Sequence, residues 1–288
     1  MPDIPALIQY ISERRIKENS GSGYSFVRDL PPNIKDTFFG VSCLKMLNAE
    51  SNDDEIVRFL SGYDNFDFNG AYYAMKCLKL AGAEVQYQNG LLRWLYKGKR
   101  QARPCAVPST PLIRYLKYEV YGAYGSSIFS SPLSALLKLI ELCEPDLSSS
   151  LANSVLMLLS NSRIDIMTAY IALKILKAIS MRCSCFLLPS TAIEEVKAFL
   201  SSCTTHRGYV ASPTSSSATL DSTYAGHKIA RYIGIPDPLG ISGFIDSLQN
   251  ENGGFRQAPF GGISTLESCY LAISIISDYS CAEHEAMK

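Results

Sequence analysis

The sequence predicts an all-α chain folded as an α/α toroid, a closed double ring of about six helical hairpins with inner and outer helices, in a single domain over residues 1–288. Three observations predict it. Apolar residues recur at helical spacing through most of the chain, in segments that fall into pairs. A count of thirteen residues leads from Gly23 to Asp36, from Gly208 to Asp221 and from Gly254 to Glu267, with an aromatic three residues after each acid: Phe39, Tyr224 and Tyr270. The second helix of each pair is apolar nearly all round, as expected of an inner helix covered on every side. An open solenoid would use the same hairpins. The ring is favoured because the best-kept copies fall in the fifth, sixth and first pairs, which are contiguous only if the chain closes on itself.

Residues 4–16 and 34–47 make the first pair, separated by the Gly23-Tyr24 loop and Pro31-Pro32. The second spans 53–63 and 69–81, with Asn52 or Asp53 as its cap, and its run Tyr73 to Lys79 aligns with Phe39 to Lys45. The third covers 111–124 and 132–143, the fourth 147–160 and 165–179. The fifth covers 191–203 and 218–233, and the sixth 239–249 and 264–279. Between the second and third pairs, residues 85–108 hold an Asn89-Gly90 turn and a basic cluster, Lys97, Lys99, Arg100 and Arg103, read as a solvated loop. The Ser/Thr-rich stretch 212–217 reads as a loop within the domain.

Composition narrows the function. The chain has 27 basic and 27 acidic residues and a pI near 6.8, so no global field draws it to nucleic acid. At 47% hydrophobic content it can bury a large core. Its nine cysteines are scattered through apolar helical runs without paired zinc spacing, which points to reduced thiols and a cytoplasmic setting. No signal peptide or membrane span is expected, and no phosphate-cradling glycine motif calls for a nucleotide cofactor. Catalysis of the Ser-His-Asp or Cys-His kind has no legible spacing.

The run Leu248-Gln249-Asn250-Glu251-Asn252-Gly253-Gly254-Phe255, followed by Thr265-Leu266-Glu267-Ser268-Cys269-Tyr270, resembles the repeat of protein prenyltransferase β subunits and class II terpene (squalene-type) cyclases. Weaker copies are Gly23-Tyr24 with Asp36 to Phe39 and Gly208-Tyr209 with Asp221 to Tyr224. The resemblance implies an isoprenoid or prenyl diphosphate ligand inside the ring, and the prenyltransferase branch implies a helical protein partner. It also implies a zinc site in that branch, but Thr223 stands where its zinc Cys would be, Glu267 where its His would be, and Ser215 and Ala218 where its diphosphate-binding Arg and Lys would be. In the cyclase branch an acidic motif supplies the proton. Here Asn33 and Lys35 fall on that motif, Lys35 at the usual proton donor.

Candidate site residues follow. Asp221 and Glu267 are the expected acid pair and Asp36 their support. A carboxyl among apolar groups and near another carboxyl would stay protonated more readily. Phe38, Phe39, Tyr72, Tyr73, Tyr170, Tyr224 and Tyr270, in the first turns of inner helices, would stabilise a carbocation by their ring faces. His227, followed by Lys228, and Arg256, beside Gly254-Phe255, are expected at the substrate. If a metal binds, Asp221, Glu267 and Cys269 are its ligand set. Carboxylate and thiolate suit zinc, and the oxygen ligands suit magnesium. Acid-initiated cyclisation is expected ahead of prenyl transfer, and a noncatalytic binding barrel is the remaining alternative.

Overall fold

A computed structural model describes residues 2–62, 68–83, 132–143, 149–160, 164–182 and 186–286. The first helix of the third pair and the basic 85–108 stretch lie outside the described residues, as does Asn89-Gly90.

The chain begins with α1 (Ile4–Ser12), whose start is fixed by the Asp3 carboxylate accepting from the Ala6 N–H at 2.9 Å. The sequence extends this helix to residue 16, but it stops at Ser12 and an antiparallel hairpin follows, β1 (Arg15–Glu18) against β2 (Gly21–Tyr24). Gly21, at φ 140°, lies so close to the next helix that a Cβ would sit 2.4 Å from the Glu55 carbonyl oxygen. Glycine takes that conformation and that close approach without strain, and it opens β2 directly after the Asn19-Ser20 turn.

Next come α2 (Ile34–Met46), α3 (Asp53–Ser61) and α4 (Phe68–Leu80). Asn52 occupies the cap of α3 in the left-handed conformation, φ 52°, and makes no side-chain capping bond; Asp53 is the first helical residue. Then follow α5 (Pro132–Cys143), α6 (Ser149–Leu159), α7 (Ile166–Arg182), α8 (Ser190–Ser202) and α9 (Leu220–Ile233). The chain ends with α10 (Ile241–Ser247) and α11 (Leu266–Ala286). The stretch 212–217 is a loop leading into α9.

The chain divides into two compact units, Met1–Gln101 with Ser242–Lys288, and Ala102–Ile241. Helical repeats touch mainly their neighbours, so such a chain divides readily. In the first unit α2 packs between α4 and α11, and β2 lies against α2 and α3. The last helix is thus the neighbour of the first pair. Residues Phe39 to Leu44 of α2 are all buried, whereas α3 buries a single stripe of Ile56, Phe59 and Leu60. That contrast is the inner and outer pattern expected of the pairs, and each stripe residue contributes about 1.5–3 kcal/mol by burial. In the second unit α7 packs against α5, α6 and α9, and α8 against α6 and α9. None of the described helices is long and apolar enough to cross a membrane.

Candidate functional site

Three inner helices start in the same way. The Asn33 side chain accepts from Asp36 N–H at 2.8 Å, Thr219 from Ser222 N–H at 3.3 Å and Thr265 from Ser268 N–H at 3.0 Å. Each is a capping bond to the third helical residue. One residue further on, a side chain receives the N–H of the aromatic that follows the repeat glycine. Tyr24 donates to Thr37 Oγ1 at 2.9 Å, Tyr209 to Thr223 Oγ1 at 3.3 Å and Phe255 to Cys269 Sγ at 3.4 Å. The aromatic rings of Tyr24 and Tyr209 then lie against Gly40 and Gly226, where a Cβ would come within 2.7 and 2.2 Å of them.

These bonds correct the register of the first copy. Asp36 aligns with Ser222 and Ser268, so the residue matching Asp221 and Glu267 is Lys35. The matching aromatics are Phe38, Tyr224 and Tyr270, not Phe39. In α7 the Asp165 carboxylate accepts from Thr168 N–H at 2.8 Å, which puts Tyr170 at the same helix position. The thirteen-residue count misses this because the loop from Gly23 to the Asn33 cap is one residue shorter than its counterparts.

In the first unit, the first turns of α2 and α11 meet α4 in an aromatic cluster. The Phe38 ring centroid is 5.4 Å from Tyr73 and 5.8 Å from Tyr270; Phe39 is 5.8 Å from Tyr73 and 5.3 Å from Tyr270. Tilted rings at such spacings attract beyond their burial. Phe39 and Tyr73 are buried, and Phe38 and Tyr270 half-buried. Beside them the Lys35 ammonium stands 2.8 Å from Glu267 Oε2 and 5.6 Å over the Phe39 ring. Burial first, and the Glu267 charge second, push the Tyr73 hydroxyl well above its ordinary range, so it is a donor and not a base.

Asp36 serves the helix start: its carboxylate accepts from Phe26 N–H at 2.9 Å and Asn33 Nδ2 at 2.6 Å. Arg256 clamps the preceding turn, donating to the Ser247 carbonyl at 2.8 Å and Asn250 Oδ1 at 3.2 Å. Cys269 is buried, and desolvation pushes its thiol up to about 12. Among the described residues, no group of three or more His, Cys, Asp or Glu is gathered to hold a metal ion. Thr223, at the position of the prenyltransferase zinc Cys, spends its hydroxyl on Tyr209. This donor chemistry does not fit the zinc that the resemblance implies.

In the second unit, α7 and α9 bring Tyr170 and Tyr224 together, hydroxyl to hydroxyl at 3.3 Å and edge to face at 5.6 Å. Asp221 is half-buried in the first turn of α9. His227 is fully buried, its Nδ1 2.8 Å from Asp237 Oδ2, and the Tyr209 hydroxyl donates to Asp237 Oδ1 at 3.1 Å. That network ties α9 to the loop after it. The residue that the sequence reading did not put in the site is Lys35, and the Asn33 cap is the signal that would have found it.

No family model matches the chain, and no curated protein matches it. Among solved structures, the chain is similar to a variant of the type II terpene cyclase MstE from Scytonema, in its apo form. The identity is 13%, the match covers 95% of this chain and 94% of that one, and the TM-score is 0.51. At that identity the likeness shows the fold, an all-α toroid of the type II terpene cyclase kind.

Proposed function

We propose that the protein processes an isoprenoid by acid-initiated cyclisation at the aromatic cluster of the first unit. The observation that carries this reading is the packing of Phe38 and Tyr270 beside the half-buried Glu267, in a fold shared with a type II terpene cyclase. The Glu267 carboxyl would give its proton to a terminal alkene carbon. A C–H bond forms from the π pair, a tertiary cation remains, and the next alkene closes onto it. Ring faces of Phe38 and Tyr270 stabilise the cation as they would an ammonium. Loss of a proton to water ends the sequence, and Lys35 holds the carboxylate left on Glu267 until it is reprotonated. Asp221 holds the equivalent helix position in the second unit, and Asp36 supports the start of α2.

The Lys35–Glu267 ion pair favours a second reading, a noncatalytic site that binds an isoprenoid and leaves it unchanged. One experiment separates the two. Glu267→Gln and Asp221→Asn, singly and together, are incubated with polyprenyl substrates and the products analysed by gas chromatography and mass spectrometry. Loss of at least about a hundredfold in turnover for Glu267→Gln is expected of a proton donor. Full turnover in the double variant sinks the mechanism, and binding without turnover in the wild type supports the second reading.

A further inference from the structure

In the second unit, the adjacent helices α7 and α9 repeat one pattern at a constant offset: Tyr170, Lys174 and Lys177 match Tyr224, Lys228 and Arg231, each pair 54 residues apart. Two contacts fix the register. The Tyr170 and Tyr224 hydroxyls lie 3.3 Å apart, and two turns further on the Lys177 ammonium stands 5.4 Å over the Tyr232 ring. Between them Lys174 lies 5.7 Å over Tyr170, and Lys228 5.4 Å over Tyr224. Lys174 and Lys228 therefore share one rung, and Lys177 and Arg231 the next, about 4.5 Å along the axis at three residues of helix rise. Lys174 keeps 39% of its side chain exposed, Lys228 is half-buried, and Lys177 and Arg231 are exposed. All four cations reach solvent.

Four like charges on touching helices repel one another. Their own helices carry little to offset this: α7 has no acid in its whole length, and α9 has only Asp221, in its first turn. The neighbouring α5 supplies Glu141, 3.1 Å from Lys174. The helix dipole accounts for Arg231, in the last turn of α9, but not for the three lysines further in. The pattern recurs once in the first unit, as Tyr72, Lys76 and Lys79 of α4, but there the adjacent α2 carries Phe38, Ser42 and Lys45, and Lys45 pairs with Asp53 at 2.5 Å. Among the described residues, the doubled lane belongs to the second unit. An ammonium stands over each of its tyrosines, so the lane offers charge and hydroxyls in place of an apolar wall. It also differs from the place where the prenyltransferase branch would hold a diphosphate, which falls on Ser215 and Ala218.

We propose that this lane binds a small free polyphosphate, an anion of two or more phosphoryl groups lying along both rungs. One orthophosphate meets a single rung, whereas a phosphate chain meets the two together. The tyrosine hydroxyls stand at one end as further donors. The inference goes beyond the cyclisation reading, which concerns the first unit, and does not rest on it.

Orthophosphate, pyrophosphate, tripolyphosphate and geranyl diphosphate are titrated calorimetrically into the full-length protein. Tripolyphosphate is expected to bind about tenfold or more tighter than orthophosphate, because charge-assisted bonds are added at the second rung. Its affinity should fall as sodium chloride is raised. The double variant Lys228→Met, Arg231→Met should lose at least about tenfold for tripolyphosphate, and Lys228→Arg should keep the affinity. Lys197→Met, on α8 and paired with Glu194, should leave it unchanged. If the double variant fails to fold, Lys177→Met, an exposed side chain, keeps the test decisive with an expected loss of about threefold or more. Equal affinity for the three inorganic anions, no binding of any of them, or binding unmoved by these variants overturns the inference. Geranyl diphosphate bound about tenfold or more tighter than pyrophosphate also overturns it, since the lane would then read a hydrocarbon chain. None of these outcomes bears on turnover at Glu267, so the two readings fail separately.

Discussion

Lys35 Nζ lies 2.8 Å from Glu267 Oε2, and the two residues occupy the same turn of adjacent inner helices. The pairing links the first repeat to the last. Had the first copy kept an acid at this place, as the other two do, two carboxylates would face each other beside the aromatic cluster. The lysine replaces that repulsion by attraction and leaves one acid, Glu267, next to the rings.

The seating of Tyr209 on Gly226 gives a stability test with opposite signs. Gly226→Ala puts a methyl 2.2 Å from the ring and should cost about 1–3 kcal/mol by overpacking. Gly243→Ala, on the exposed side of α10 with nothing within 4 Å, should stabilise by about 0.5–1 kcal/mol. Urea unfolding of the two variants measures both, and a Gly226→Ala protein as stable as wild type would refute the seating.

Thr37 carries the N–H of Tyr24 and in turn donates to the Asn33 carbonyl at 2.6 Å. Thr37→Val should lower stability by about 1–3 kcal/mol, since a buried donor loses its acceptor, and Thr37→Ser should recover most of it. Chemical denaturation of the pair is the check.

A third prediction concerns pH. The Glu55 carboxylate accepts from Ser22 Oγ and pairs with Arg15 and Lys17, and the Ser22 bond is the main cause that lowers it from 4.5 to about 2. A carboxylate lowered by folding stabilises above its unfolded value and loses that contribution as pH falls. The melting temperature of wild type should therefore exceed that of Glu55→Gln at pH 6, and the gap should shrink between pH 4.5 and about 2. A gap that is constant over that window would contradict the account.

Burial pushes the thiols of Cys43, Cys77 and Cys269 above their ordinary value, Cys269 to about 12. The thiolate is the reactive form. These three should resist iodoacetamide in the native protein at pH 8 and react in urea, as read by peptide mass spectrometry. Rapid native alkylation of Cys269 would show a thiolate there after all, and would reopen it as a metal ligand.

Among the described residues, the helical pairs were legible in the sequence because their amphipathic and all-apolar periods survive. The α5 helix matches its expected bounds, 132–143. The first hairpin was not legible. Its β2 strand opens with Gly21 against the backbone of Glu55 and Phe59, a contact between segments far apart in the chain. For the site, the position of Glu267 was readable, since Thr265 caps locally and Cys269 follows in the right turn. The identity of its partner was not. Counting from Gly23 lands on Asp36 because the loop before α2 lacks one residue, and only the Asn33 capping bond restores the frame. Likewise the burial of His227 on Asp237 depends on a loop ten residues downstream that no helical spacing announces.

The most direct test of the central claim is isotopic. Wild-type protein is incubated with a linear polyprenyl substrate in deuterium oxide, and the product mass is compared with that formed in ordinary water. Acid initiation places a solvent-derived deuteron on the former alkene carbon, so the account predicts a cyclic product heavier by a single deuterium, absent with Glu267→Gln. A cyclic product without deuterium, or one formed undiminished by Glu267→Gln, would contradict it.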